Sequence, residues 1–526
     1  MRTLTANRTT TSLLAAAVVL AAALGIAEVR PPAAPAADGP QGTTRAQVER
    51  TSAVCPQPMQ GMSGSTTYTA FTPAGGTSGA ASGGKAVLTE VTGGADGGSG
   101  DKKDTKDKKD TKKDTKKDAK KAPKAAAGPR ATIDKPGAPV TAKAASGEDA
   151  PAVTAVADGA LAPGFTVQQT TTVSDSRGRG ISGLTCTAAG TNFWFAGAST
   201  GKDRADYLDL TNAERQSAVV GVTLYGPDGE IDTGEAGDIT VPPGGSVSLL
   251  LSTLATKPVA DLVVQVAAHS GRVGAALHAS DGSRGSDWLP AAAAPAGTVV
   301  IPGLPGDLTA ARLVVAAPGD DDADLKVQLS GPNGWFVPAG NETVHVKSGM
   351  LTAVDLGALT RGQASALRLS PSDPKHNTPV VAGLRVDRGK GAATDAAWLA
   401  GSGPVGERAD SAENRADGST LVLTSTDRAA RVRITSTGSA GSTPATKELD
   451  IPAGATVSLA APKPTGGKGV FAVTVETVSG GPVAAARILA TTVDKVPMFT
   501  VQPLRDDRST VLVPHTVEDP AILTAG

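Results

Sequence analysis

At 526 residues the chain exceeds what one hydrophobic core organises, so several domains are expected. Its 50 basic and 51 acidic residues leave a formal net charge of -1, which excludes a global bias toward nucleic acid or anionic lipid. Aromatics make up only 3% of a chain with 63 Gly and 37 Pro, a composition suited to many short strands, frequent turns and modest cores of Val, Leu and Ala.

Arg2 and Arg8 precede an apolar run from Leu13 to Ala27, and a Pro/Ala-rich stretch follows it. This reads as an export segment. The run has the length of a signal h-region and is short for a bilayer span of roughly 20 residues, which favours cleavage. Gly25 and Ala27, or Ala34 and Ala36, are the small-residue positions a peptidase would use. An uncleaved segment would instead be a single-pass transmembrane helix, and the basic start places the remainder outside in both cases. Residues 1–50 are therefore assigned to a signal peptide or membrane anchor with its linker, and no later segment reads as a span.

Cys55 and Cys186 are the only cysteines, and in an oxidising compartment a lone pair is expected to bond, so a Cys55–Cys186 disulfide is predicted. There is no CxxC spacing, and His269, His278, His345, His376 and His515 are scattered, so neither a metal nor a cofactor is expected. Within the loop that the disulfide closes, Asp101 to Lys121 read DKKDTKDKKDTKKDTKKDAKK, with almost nothing apolar. Such a tract buries too little surface to offset its ordering entropy. A disordered insert is placed at residues 93–163, between strand-like pieces at Lys85 to Val91 and Phe165 to Val173, inside an N-terminal β module of residues 51–202. The Asp residues interleaved with Lys lower the local field and favour a solvated spacer over a contact with anionic wall polymers.

Beyond Cys186 the chain repeats itself. The repeats are placed at residues 203–305, 306–415 and, with the C-terminal tail, 416–526. Each has a turn after its second strand, a Gly corner before an alternating V-x-V or L-x-L strand, and a closing aromatic at Trp288, Trp398 or Phe499. Strands at this spacing between Gly, Pro, Asn and Asp turns predict an all-β chain of tandem immunoglobulin-like or fibronectin-like sandwiches. A propeller-like repeat is the alternative, although its blades of about 40–50 residues are shorter than these units. Helical pattern is confined to a short stretch around Leu308 to Leu313.

The segment TCTAAGTNFWFAGASTG, a Cys followed by the aromatic run Phe193, Trp194 and Phe195, resembles a family of uncharacterised secreted or membrane-anchored actinobacterial proteins, a domain of unknown function. The resemblance runs from about Cys55 to Leu504, through VCPQP at Val54 to Pro58 and the repeat ends at Trp288 and Trp398; the Lys/Asp insert departs from it. It implies an extracytoplasmic protein without known catalytic residues, with a neighbouring membrane glycosyltransferase as a hint toward envelope glycan work.

Three local features have the residue types of a site. Gly197 to Gly201 satisfies G-x-S-x-G with Ser199 central, but a nucleophile elbow needs a helix after the Ser, and KDRADYLDL reads as loop then strand. Asp320, Asp322 and Asp324 open like a calcium loop but lack its Gly and final Glu, which leaves a solvated turn. Aromatic faces stack on sugar rings, so Trp194 and Trp335 are the candidate glycan contacts, Trp335 being the one expected to be exposed. Trp288 and Trp398 are assigned to core or inter-module packing. The functional expectation is a non-enzymatic, non-catalytic envelope scaffold, secreted or anchored, with a glycan-binding accessory protein as the alternative and a hydrolase third. The expected partners are an envelope protein or a cell-wall glycan, and the membrane through the N-terminal segment if it is uncleaved.

Overall fold

The computed structural model describes residues 43–58, 64–75, 83–91, 130–144, 150–173, 179–493 and 496–514. The export segment and the Lys/Asp tract lie outside these. Among the described residues no helix is long and apolar enough to cross a membrane. Two compact units are distinguished. One, formed by the chain ends, contains the two-stranded pairing of Thr43–Gln47 with Thr510–Pro514. The other, Gln47–Thr510, holds the sandwiches.

Each sandwich is built from eight principal strands with one pairing order. In the fourth, which shows it most simply, one sheet runs Arg408–Asn414, Phe471–Gly480, Ala430–Thr437, Ala445–Ile451 across its width. The other runs Thr456–Ala460, Ser419–Ser425, Val483–Val493, Val496–Leu504. In chain order this is 1-6-3-4 over 5-2-7-8, whereas an immunoglobulin constant domain pairs ABED over CFG. The second sandwich, from Asn192–Ala198 to Gly285–Leu289, and the third, from Val299–Leu304 to Asp395–Ala400, follow the same order with one extra edge strand each.

The N-terminal module is a fourth copy. Its sheets are Arg50–Cys55, Val153–Asp158, Ala86–Glu90, Ala131–Ile133 and Val140–Lys143, Gly64–Phe71, Thr166–Val173, Gly180–Thr185. The sandwich repeats are as expected, but their number is four, not three. The expected insert at 93–163 is corrected accordingly: Ala131–Ile133, Val140–Lys143 and Val153–Asp158 are strands of this sandwich. They are short and rich in Ala and Thr, so they carry little of the apolar signal by which strands are recognised. The expected boundaries also fall one strand late. Asn192–Ala198, Val299–Leu304 and Arg408–Asn414 each open the following sandwich. Leu308 to Leu313, the one stretch with helical pattern, lies in the strand Leu308–Ala316.

Burial follows position in this order. The third strands alternate, with Ala218, Val220, Val222 and Leu224 inward along Ala218–Gly226 and the intervening residues half-buried, as expected where one face packs on a core. The closing strands Gly285–Leu289 and Asp395–Ala400 are buried at every residue. They are covered on both faces because the sandwiches pack against one another there. Gly180–Thr185 packs on Gly285–Leu289, that strand on Asp395–Ala400, that on Val496–Leu504, and the last returns to Gly180–Thr185. The four closing strands thus complete a circuit.

Opening strands lock the same arrangement. Asn192–Ala198 packs on Val381–Arg388 of the third sandwich, Val299–Leu304 on Val483–Val493 of the fourth, and Arg408–Asn414 on Thr166–Val173 of the first. Two glycines permit such approaches. A Cβ on Gly383 would lie 2.1 Å from Ala196 O, and one on Gly274 would lie 2.6 Å from Val54 Cγ1. The predicted disulfide is present, joining Cys55 at the end of the first strand to Cys186 just past the closing strand of the first sandwich.

Candidate functional site

The candidate residues from the sequence are not brought together. Trp194 is 5% exposed and packs with Val314 and Val381 between the second and third sandwiches, its ring 5.8 Å from that of Tyr225, so it offers no face to a sugar. Trp335 is half-buried rather than exposed: Arg368 stacks on its ring at 4.5 Å and its Nε1 donates to Thr426 O at 2.8 Å. Phe336 beside it is the exposed aromatic of that hairpin, at 49%. Trp398 and Phe499 are inter-module residues. Trp398, carried by the third sandwich, completes the core of the second, and Phe499, carried by the fourth, packs into that of the third.

Ser199 is buried. Its hydroxyl donates to Val259 O at 3.1 Å and accepts from Gly201 N, while its own N–H donates to Asp206 Oδ2 at 2.8 Å. The strand Tyr207–Thr211 follows, so the Gly-rich segment is a turn anchored on the Arg204–Asp206 ion pair. In the acidic turn, Asp322 accepts from Ser348 N and Asp324 contacts His345 Nδ1, both at 2.8 Å. Among the described residues no group of three His, Cys, Asp or Glu side chains is placed to hold a metal.

What the fold does bring together is a polar junction where the closing strands meet. Asp287 Oδ1 accepts from Gly183 N of the first sandwich at 3.0 Å and from Thr500 Oγ1 of the fourth at 3.0 Å. Asp395 Oδ2 of the third accepts from Phe499 N of the fourth at 2.7 Å. Gln168 of the first reaches the fourth three times, accepting from Glu413 N at 2.7 Å and Ser411 Oγ at 3.2 Å and donating to Gln502 Oε1 at 3.2 Å. Arg487 donates to the same Gln502 oxygen.

All of these side chains are buried, and the electrostatics reflect it. Burial pushes the Asp287 carboxyl well above the usual carboxylate range, against the lowering effect of its hydrogen bonds. Burial likewise raises Asp395 to about 7, and it lowers the Arg487 guanidinium to about 10. Asp287 Oδ2, Asp395 Oδ1, and Arg487 Nε and Nη1 have no hydrogen-bond partner among the described residues. The junction's chemistry is cohesive: Gln168, Asp287 and Asp395 each tie one sandwich to another, Arg487 braces Gln502 from within the fourth, and none is presented to solvent.

These residues were missed in the sequence, yet a signal exists. Each is a charged or amide side chain inside an otherwise apolar run: Asp287 in GSDWL, Arg487 in VAAARILA, Gln502 in FTVQPL.

A model for a family of unknown function, DUF5719, matches residues 141–462, more than half of the chain. The chain belongs to the DUF5719 family. The DUF5719 match contains the second and third sandwiches whole, with Gly183, Asp287, Asp395 and Glu413 of the junction. Arg487, Thr500 and Gln502 lie beyond it. No curated protein matches the chain.

Proposed function

We propose that this DUF5719 protein is a non-catalytic extracytoplasmic component of the cell envelope that acts as a structural or interaction scaffold. The observation that carries the reading is the closed circuit of four sandwiches, in which Gln168, Asp287 and Asp395 are committed to contacts between modules. Such a body presents fixed loops and sheet edges to partners. The buried Cys55–Cys186 disulfide supports an oxidising compartment, and the apolar run from Leu13 to Ala27 supports export, followed by release or retention on the membrane.

The test is made on native host cells producing the full chain. The proposal expects protease added outside wall-stripped cells to degrade it and thiol alkylation without reductant to leave both cysteines unmodified. Protection from protease together with free thiols contradicts it. The mass of the mature protein distinguishes a cleaved segment from an anchor.

One observation favours a second reading, a glycan-binding accessory protein beside envelope polymer synthesis. Phe336 stands exposed next to Trp335 and Arg368, an aromatic and cationic grouping that suits a sugar face and its hydroxyls. Retention on purified wall polysaccharide that is lost in Phe336→Ala would favour it over the scaffold; absence of retention favours the scaffold.

A further inference from the structure

Where the third and fourth sandwiches meet the linker that follows Leu289, a cleft of about 270 Å³ opens. This is near the small end of ligand sites, roughly 300–1,000 Å³. Its wall is mostly small and apolar, including Ala292, Val300, Ala382 and Pro482, and three polar residues stand out: Arg368, Asp427 and Ser402.

Arg368 is incompletely neutralised. Its Nε and Nη2 both donate to the neutral Gln328 Oε1, at 3.0 and 2.7 Å, and its plane lies over Trp335. The nearest carboxylate is Asp427, 3.7 Å from Nη1, and that side chain is 66% exposed. An exposed ion pair of this length contributes little, so the cation retains capacity for a second anion. Burial pulls the guanidinium below its ordinary value, which marks it as short of compensating charge. Ser402 lines the same cleft, but its hydroxyl oxygen is closed off from the cleft space, so the polar contacts open to a ligand are those of Arg368 and Asp427.

The anion is constrained by its neighbours. A phosphate or sulfate dianion would meet Asp427 and an apolar wall, whereas a carboxylate carries one charge and can sit on an aliphatic body. Asp427 beside Arg368 also offers an acceptor for an N–H close to that carboxylate. We propose that this cleft binds a small aliphatic amino-acid unit through its carboxylate, as in the C-terminal residue of a short peptide, with Arg368 holding the carboxylate and Asp427 the adjacent N–H.

The test uses the full chain and titrates N-acetyl-alanyl-alanine, in both configurations at the α-carbons, by calorimetry and ligand-observed NMR. Its C-terminal amide, butyrate and inorganic phosphate are run beside it. Saturable binding of the free acid is expected, with at least a tenfold loss for the amide, for butyrate, for phosphate and in Arg368→Gln. Thr298→Trp, at an exposed position on the cleft rim, should abolish binding without changing the melting temperature. Equal binding of butyrate would overturn the assignment to an amino-acid unit and leave a free short-chain acid as the ligand. Absence of saturable binding, or binding unchanged in both variants, would overturn the site.

Discussion

Gly183 N donates to Asp287 Oδ1 at 3.0 Å, joining the closing strand of the first sandwich to that of the second, and Thr500 of the fourth shares the same oxygen. Gly183 is fitted to this position by what it lacks: a Cβ there would lie 2.4 Å from Gln502 Nε2 and 3.0 Å from Thr500 Cγ2. Gly183→Ala is therefore expected to push the first and fourth closing strands apart and to destabilise by about 1–3 kcal/mol, the usual cost of overpacking. Thermal unfolding monitored by circular dichroism checks this. An unchanged midpoint would mean that the strands part without cost.

Arg487 separates cohesion from charge. It is fully buried and makes one hydrogen bond, to Gln502, with two nitrogens unpaired among the described residues. Arg487→Met keeps most of the volume and removes the desolvated cation, so it should be neutral or stabilising. Arg487→Ala leaves a cavity and should cost about 2–5 kcal/mol. Denaturant titration should place the Met variant at or above the native chain and the Ala variant well below it; a Met variant clearly less stable than the native chain would assign the Arg487 charge a net stabilising role.

Stability should rise as the solution is acidified from about pH 8 to 6.5. Burial raises Asp395 and Asp209 each to about 7 in the folded chain, far above the unfolded carboxyl near ~3.9. Their contribution is fully present below the unfolded value and is lost progressively as pH rises from there through about 7, because over that interval the unfolded carboxyl ionises while the folded one is held protonated. His278 works the other way: burial lowers it to about 3, so its own contribution falls once pH drops below about 6.5 and the unfolded histidine takes up a proton, which offsets part of the gain from the two carboxyls. Asp395→Asn keeps the acceptor for Phe499 N and removes the titration. Its melting midpoint should exceed that of the native chain by a few degrees at pH 8 and converge with it at pH ~4. A parallel pH profile for the two proteins would contradict the assignment.

Reduction of Cys55–Cys186 should cost about 2–5 kcal/mol, since the bridge closes a loop of more than a hundred residues in the unfolded chain. Because Arg50–Cys55 pairs with Val153–Asp158, the exchange protection of those two strands should fall first on reduction. Hydrogen exchange with and without reductant measures it, and uniform loss across all four sandwiches would place the effect elsewhere.

The strands with alternating burial were legible in the sequence because one face of each is wet, as in Ala218–Gly226 and Ala430–Thr437. The repeat ends at Trp288, Trp398 and Phe499 were legible as aromatics, and the disulfide as a lone pair of cysteines. The first sandwich was not. Its Ala/Thr strands give little period-two contrast, and its continuity is broken by the Lys/Asp tract between Glu90 and Ala131. The opening strands read from sequence as the ends of the preceding modules, because RADSAEN at Arg408–Asn414 is largely polar and its burial arises from contact with a sandwich more than two hundred residues away. For the same reason the junction escaped notice: local pattern carries no trace of which buried Asp or Gln will meet which.

The most direct test of the closed circuit is hydrogen exchange in the full chain carrying Gln168→Ala. Gln168 Oε1 accepts from Glu413 N at 2.7 Å across 245 positions of sequence. The closed arrangement predicts faster exchange both around Thr166–Val173 and along Arg408–Asn414, with the amide of Glu413 most affected. Faster exchange confined to the first sandwich, with Arg408–Asn414 unchanged, would contradict closure of the first sandwich onto the fourth.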